Sequence, residues 1–123
     1  DKDISFAKNY MSIASRAAGV PALDTPFFGF KDPDALRSNS MLGKSIGYKG
    51  KFAIHPAQID VINESFTPGK NEIEHARRVI EVFEQAASQG RGSTSLDGLV
   101  IDVPVVKRAQ SLIEMAERFK KGD

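Results

Sequence analysis

The segment KGKFAIHP, Lys49 to Pro56, places a short apolar run, Phe52 to Ile54, about 30 residues after an earlier run in VPALDTPFFGF, Val20 to Phe30. That spacing is typical of a strand-helix-strand unit. Because two strands connected through a helix lie parallel, the segment predicts an α/β fold whose two strands end near Leu23 and His55.

The residues between the two runs carry the signals of a helix. Asp32 is a good N-cap, and Pro33 suits the first helical position, where its missing amide proton costs nothing. The helix is predicted to end at Gly47. Its predicted inward-facing residues are Leu36, Leu42 and Ile46.

Helical patterns also flank this unit on both sides. The first covers Ile4 to Ala18, and its apolar residues are predicted to cover other parts of the protein; they are Phe6, Tyr10, Ile13 and Ala17. A short helix is predicted to open at Pro56, and a longer one runs from Thr67-Pro68 to Gly90. The last helix follows Asp102 and keeps apolar residues on one face.

Two parallel strands are too few for a sheet that is buried on both faces, as parallel sheets normally are. The chain also begins at Asp1 without a methionine and enters a helix almost at once. We therefore expect it to be the C-terminal part of a larger fold. The segment GRGSTSLDG, Gly90 to Gly98, is rich in glycine and serine and is the predicted connector before the last helix.

The composition excludes several classes of function. With 123 residues and 41% hydrophobic content, the chain can form one modest core. Seventeen basic and sixteen acidic residues leave a charge of +1 without a basic cluster, which argues against nucleic-acid binding. No apolar run reaches the roughly 20 residues of a membrane span, so no membrane partner is expected. The lack of cysteine favours a cytoplasmic location.

Asp102 is the most informative single carboxylate. It lies between the apolar run Leu99 to Ile101 and the helix that starts with Val103 and Pro104. One interpretation is a helix N-cap, since Asp is among the preferred caps. The other is a general acid or base held in an apolar setting. The two roles are compatible.

Several motifs occur together and in order: Asp24, Gly50-Lys51, AIHPAQI (residues 53 to 59) and DGLVID followed by Pro104. In this combination the sequence resembles the C-terminal portion of the citrate lyase beta subunit family, the HpcH/HpaI-type aldolases, and is most similar to malyl-CoA and citramalyl-CoA lyases. The resemblance runs from about Ala14 to Phe119.

The resemblance implies the last strands and helices of a TIM (β/α)8 barrel, in residues 1–90, and a linker with a C-terminal lid helix, in residues 91–123. It implies cleavage of a 3-hydroxyacyl-CoA into an acyl-CoA and a 2-oxo acid, or the reverse condensation. Mg²⁺ would polarise the oxo acid, with ligands in an upstream part and none in this sequence. Asp102 would be the catalytic acid/base, supplied across the subunit interface of a homo-oligomer, a trimer or hexamer.

Active sites of such barrels lie at the C-terminal ends of the strands. The predicted residues for binding substrate or coenzyme A are therefore Asp24, Thr25, Pro26, Phe27, Ile54, His55 and Pro56. Each has a simpler interpretation: Asp24 can form a turn, His55 can be a hydrogen-bonded structural residue, and the aromatic cluster Phe27, Phe28 and Phe30 can be core. Lys49, Lys51 and Arg91 could meet coenzyme A phosphates or lie at the solvated surface.

Other functions remain open from the sequence. A malyl-CoA thioesterase could use the same site by directing water at the thioester. A non-catalytic subunit could offer the last helix to a partner, since no pair of metal-binding carboxylates is visible in the sequence. Aldol cleavage of a free hydroxy acid would need no coenzyme A.

Overall fold

The computed structural model describes residues 4–121. The chain divides into two units, with the boundary between Phe66 and Thr67. Residues 1–3 and 122–123, at the outer ends of the predicted barrel and lid segments, lie outside the described residues. Among the described helices, none combines the length and the apolar character that crossing a membrane requires.

The first unit has the predicted strand-helix-strand order. It contains helix α1 (Ser5–Ala17), strand β1 (Leu23–Asp24), helix α2 (Pro33–Ile46), strand β2 (Gly50–Lys51), a 3₁₀ turn (Pro56–Gln58) and helix α3 (Ile59–Phe66). Strands β1 and β2 pair in parallel, with Leu23 opposite Gly50 and Asp24 opposite Lys51. The prediction of parallel strands is confirmed. Leu23 ends the first apolar run, as predicted, whereas β2 precedes the second run, Phe52 to Ile54, so the predicted strand end near His55 is wrong. Hydrogen bonds from the Lys49 amide to the Ala22 carbonyl and from the Phe52 amide to the Asp24 carbonyl continue the ladder on either side.

Helix α2 begins and ends where its sequence signals predict. The Asp32 carboxylate accepts a hydrogen bond from the Ala35 amide at 2.9 Å, and Gly47 ends the helix with a left-handed φ of 112°. Leu36 is buried in a cluster with Tyr48, Ile62 and Phe66. Leu42, predicted to face inward, is exposed instead.

Helix α1 buries the face opposite to the one that was predicted to be buried. Phe6, Tyr10 and Ile13 are exposed, whereas the buried residues of the helix are Lys8 and Ser12. Ser12 donates a hydrogen bond to the carbonyl of Ile46, and Lys8 forms an ion pair with Asp24. These polar contacts over a long sequence separation determine the inward face, and apolar periodicity alone cannot report them.

The second unit packs two long helices over a hairpin. It contains helix α4 (Lys70–Ser88), strands β3 (Thr94–Leu96) and β4 (Leu99–Ile101), and helix α5 (Val103–Lys121). Its buried cluster is drawn from all of these elements: Ala76, Val79, Leu96, Ile101, Val106 and Ala109. Helix α4 thus shares a core with α5 in this unit.

Half of the predicted connector is ordered as a β-hairpin. Strands β3 and β4 pair antiparallel, and the turn residues Asp97 and Gly98 have φ values of 50° and 80°. Two central residues with positive φ form the turn type whose twist matches a two-residue hairpin, and Asp-Gly is a preferred sequence for it. The glycine- and serine-rich composition of the segment concealed this signal.

Candidate functional site

The parallel pairing brings the two predicted binding segments to one end of the β1–β2 pair. Thr25 to Phe27 follow β1, and Ile54 to Pro56 lie shortly after β2. Phe52 donates a hydrogen bond from its amide to the carbonyl of Asp24 at 3.1 Å, which continues the ladder into this end. The two segments therefore lie side by side.

Gln58 connects the two segments directly. Its Nε2 donates to the carbonyl of Phe27 at 2.7 Å, and its Oε1 accepts from the amide of Ile54 at 2.9 Å. The side chain is buried, with 1% of the residue exposed. One amide side chain thus satisfies a backbone acceptor on one segment and a backbone donor on the other.

His55 lies exposed at the same strand ends. Its ring stacks on that of Phe30 with 5.0 Å between centroids and 24° between planes. Its Nδ1 accepts a hydrogen bond from the Ala57 amide at 3.2 Å, so the neutral imidazole carries its proton on Nε2. The arrangement orients the ring and presents a donor nitrogen. Its chain neighbour Ile54 and its stacking partner Phe30 are exposed apolar residues.

Asp24 is buried among cations. Its Oδ2 lies 2.8 Å from Lys51 Nζ, its Oδ1 lies 3.0 Å from Lys8 Nζ, and Oδ1 also accepts from the Thr25 amide at 2.9 Å. The side chain is 1% exposed. Burial by itself would raise the pKa of Asp24, but the hydrogen bonds and charges of Lys51 and Lys8 outweigh it and lower the pKa. The carboxylate therefore stays ionised and holds β1, β2 and α1 together.

Three polar residues of this region were not assigned from the sequence. Lys8 gave no signal, because nothing in the sequence connects it to Asp24, 16 positions later. Lys51 was considered as a phosphate contact, but its ammonium group is buried against Asp24. Gln58 lies in the quoted motif AIHPAQI, where a polar residue two positions after Pro56 could have been recognised as a bridging side chain.

Asp102 belongs to the second unit and caps helix α5. Its Oδ1 accepts from the Val105 amide at 3.1 Å, and its carbonyl accepts from the Val106 amide at 3.0 Å. The residue is half-buried and directly follows β4. The N-cap interpretation is confirmed. The cap engages Oδ1 and leaves Oδ2 for another partner, so capping does not occupy the whole carboxylate.

Magnesium ligands were predicted to lie outside this chain. Among residues 4–121, no three His, Cys, Asp or Glu side chains converge so that they could hold a metal ion. The described residues therefore do not fit a complete magnesium site.

Comparison with known proteins identifies relatives along almost the whole chain. The mitochondrial citramalyl-CoA lyase of Rattus norvegicus is 33% identical over 120 residues, which cover 98% of this chain and 36% of the relative. The citrate lyase subunit beta of Leuconostoc mesenteroides subsp. cremoris is 36% identical over 115 residues, which cover 94% of this chain and 38% of the relative. The chain thus spans well under half the length of these relatives. No family profile matches it.

A solved structure agrees with these relatives. The CitE protein of Mycobacterium tuberculosis, in complex with magnesium, acetoacetate and coenzyme A, superposes with a TM-score of 0.78 at 25% identity and covers 89% of this chain and 40% of that chain.

The chain is a homologue of the citrate lyase beta subunits and citramalyl-CoA lyases.

The predicted resemblance is confirmed, and with it the α/β fold class of this TIM-barrel-like family. The relatives named above are lyases.

Proposed function

We propose that the full-length protein containing this chain is a carbon-carbon lyase that cleaves a 3-hydroxyacyl-CoA of the malyl-CoA or citramalyl-CoA type into an acyl-CoA and a 2-oxo acid, or catalyses the reverse condensation. The observation that carries this proposal is 33% identity to a citramalyl-CoA lyase over 98% of the chain. The strand-end arrangement supports it, because catalysis in TIM barrels takes place at that end of the strands.

Asp102 is proposed as the general acid/base. Cleavage breaks the bond between the α-carbon of the acyl-CoA and the carbon that carries the hydroxyl group. The hydroxyl group loses its proton, to a base outside this chain or to water, as it becomes the carbonyl of the 2-oxo acid, and the α-carbon must then accept a proton. The protonated Asp102 donates that proton, and in the condensation direction the carboxylate removes it. Two features support the role: Oδ1 is fixed by the Val105 amide, and Oδ2 is left for the substrate.

The strand-end segments are proposed to bind the acyl-CoA ester. The residues assigned to this role are Thr25, Pro26, Phe27, Ile54, His55 and Pro56. His55 would donate a hydrogen bond from Nε2, and exposed apolar side chains such as Ile54 would pack against the pantetheine arm. Asp24 contributes differently from the binding role first predicted, because its carboxylate is engaged by Lys51 and Lys8 and supports the site from within the fold.

Mg²⁺ and coenzyme A are proposed as the cofactor and the carrier of the substrate, since the CitE structure holds both. Mg²⁺ supplies a Lewis acid that polarises the oxygens of the 2-oxo acid. Its ligands are proposed to lie outside this chain, as the sequence predicted.

We further propose that residues 91–123 act as a lid over the site of a neighbouring subunit in a homo-oligomer, with residues 1–90 forming part of the barrel. A cyclic trimer or hexamer would place every lid next to a neighbouring site. A cytoplasmic location fits the absence of cysteine.

Product analysis tests the reaction. Full-length protein, Mg²⁺ and malyl-CoA or citramalyl-CoA are incubated, and acyl-CoA, 2-oxo acid and free thiol are measured separately. Equal amounts of acyl-CoA and 2-oxo acid are expected. Free coenzyme A with the intact hydroxy acid would identify a thioesterase, and no turnover of either ester would contradict the proposal.

A further inference from the structure

Gln58 is the element of the strand-end site that the proposed reaction does not use. It is almost completely buried. Neither of its hydrogen-bond partners is a side chain that is proposed to bind the substrate. Its two hydrogen bonds end instead on the backbone of the two proposed binding segments, at the Phe27 carbonyl and the Ile54 amide.

Both polar atoms of the Gln58 side chain take part in the connection. Gln58 Nε2 and Oε1 each make one bond, at 2.7 Å and 2.9 Å, and the acceptor and donor they meet fix the orientation of the amide. Phe30, which follows the first segment, also stacks on His55 of the second, but an aromatic contact with 5.0 Å between centroids allows sliding that two hydrogen bonds do not. Together with the hydrogen bond from the Phe52 amide to the Asp24 carbonyl, the Gln58 amide therefore fixes the spacing between the segments.

We propose that Gln58 is a positioning residue for acyl-CoA binding: it sets the separation of the segments Thr25–Phe27 and Ile54–Pro56 so that both engage the thioester substrate together. This inference rests on the proposed lyase function. Because the site residues act as one surface, a small change in their separation weakens substrate binding while the carboxylate chemistry at Asp102 is retained.

The test compares KM and kcat of full-length variants. Gln58→Leu keeps the approximate volume and removes both hydrogen bonds, so KM for the acyl-CoA ester is expected to rise roughly tenfold while kcat changes by less than about twofold. The matched control is Tyr48→Phe. It removes another buried bond from a side chain to a backbone carbonyl in the same unit, from Tyr48 Oη to Lys8 O at 3.1 Å, and KM is expected to stay unchanged.

Gln58→Glu separates positioning from general damage. A protonated carboxyl has nearly the shape of the amide and can donate to the Phe27 carbonyl while accepting from the Ile54 amide, whereas an ionised one faces the carbonyl oxygen with a negative charge. KM of this variant is therefore expected to approach that of the wild type at low pH and to increase as the pH rises. The wild type measured in parallel gives the reference profile.

Amide hydrogen exchange at Ile54 reports the connection independently of turnover, and it is expected to accelerate in Gln58→Leu and not in Tyr48→Phe. The inference is overturned if Ile54 exchange is unchanged, if KM is unchanged while Ile54 exchanges faster, or if KM rises to the same extent in the Tyr48→Phe control. A wild type without lyase activity would instead overturn the proposed function itself, and that failure is visible before any variant is made.

Discussion

Replacing Asp24 with Asn is expected to destabilise the first unit far more than the loss of one charge from an exposed ion pair would. The side chain keeps its shape, but Lys51 and Lys8 lose the anion that lies 2.8 Å and 3.0 Å from their ammonium groups. The side chains of Lys51 and Lys8 are only 1% and 9% exposed, so water cannot replace the lost partner. Removal of one member of a buried ion pair costs about 3–5 kcal/mol, because a buried charge stays uncompensated.

The chain offers a control with the same geometry and a different environment. Arg37 and Glu64 form an ion pair whose N–O distance is also 2.8 Å, but their side chains are 48% and 62% exposed. Solvent screening limits such a pair to about 0–1 kcal/mol, so Glu64→Gln is expected to change the free energy of unfolding by less than about 1 kcal/mol. The difference between the two variants isolates the effect of burial.

Equilibrium urea unfolding at pH 7, followed by circular dichroism, measures both variants. The double substitution Asp24→Asn with Lys51→Met is expected to recover part of the loss, because it removes the buried charge of Lys51 that Asp24→Asn leaves without its anion. Equal losses for Asp24→Asn and Glu64→Gln, to within about 0.5 kcal/mol, would refute the argument from burial.

The stability lost in Asp24→Asn is expected to depend on pH. The folded-state pKa of Asp24 is lowered from its ordinary value of 3.8, so the carboxylate stabilises the fold fully above that value, and the stabilisation is lost as the pH falls through the folded-state pKa. The stability difference between wild type and Asp24→Asn should therefore be constant near neutral pH and shrink in acid. A stability difference between wild type and Asp24→Asn that increased below pH 4 would contradict the lowered pKa of Asp24.

Two glycines give further predictions. Gly43→Ala should destabilise the protein, because the added Cβ would lie 2.9 Å from Asp24 Oδ2. Alanine in place of glycine normally stabilises a helix interior by about 0.5–1 kcal/mol, so the expected effect has the opposite sign. Ser38→Ala, at an exposed position of the same helix, is the control for urea unfolding. Gly98→Ala should cost about 1–2 kcal/mol, because its φ of 80° is unfavourable for a residue with a Cβ, whereas Gly92→Ala, in the same connector, should cost less. A stabilised Gly43→Ala or a neutral Gly98→Ala would contradict these assignments.

Local signals predicted the parts of the fold whose causes are local. Asp32, Pro33 and Gly47 predicted the ends of α2, since caps depend on neighbouring residues alone. Asp102 predicted the start of α5 in the same way. The spacing of two apolar runs predicted the parallel strands, because a helical crossover has a characteristic length.

Contacts between residues far apart in the sequence could not be predicted from local patterns. The inward face of α1 depends on Lys8 meeting Asp24, 16 positions later in the sequence, and apolar periodicity points to the opposite face. The bridge formed by Gln58 required the two strand ends to be adjacent before its role was visible. The hairpin at Asp97-Gly98 had a recognisable signal, but its strands are only three residues each and too short for an alternating pattern.

The catalytic role of Asp102 is tested most directly by the lyase activity of a series of Asp102 variants in the full-length protein. Asn and Ser are good N-caps without an ionisable group, whereas Ala removes both the cap and the acid. If Asp102 is the catalytic acid/base, Asp102→Asn and Asp102→Ser should retain the stability of wild type to within about 0.5 kcal/mol and lose cleavage by at least roughly 100-fold. Asp102→Ala should in addition lose about 1 kcal/mol of stability. Undiminished cleavage by Asp102→Asn would contradict the catalytic role and leave Asp102 with the helix cap alone.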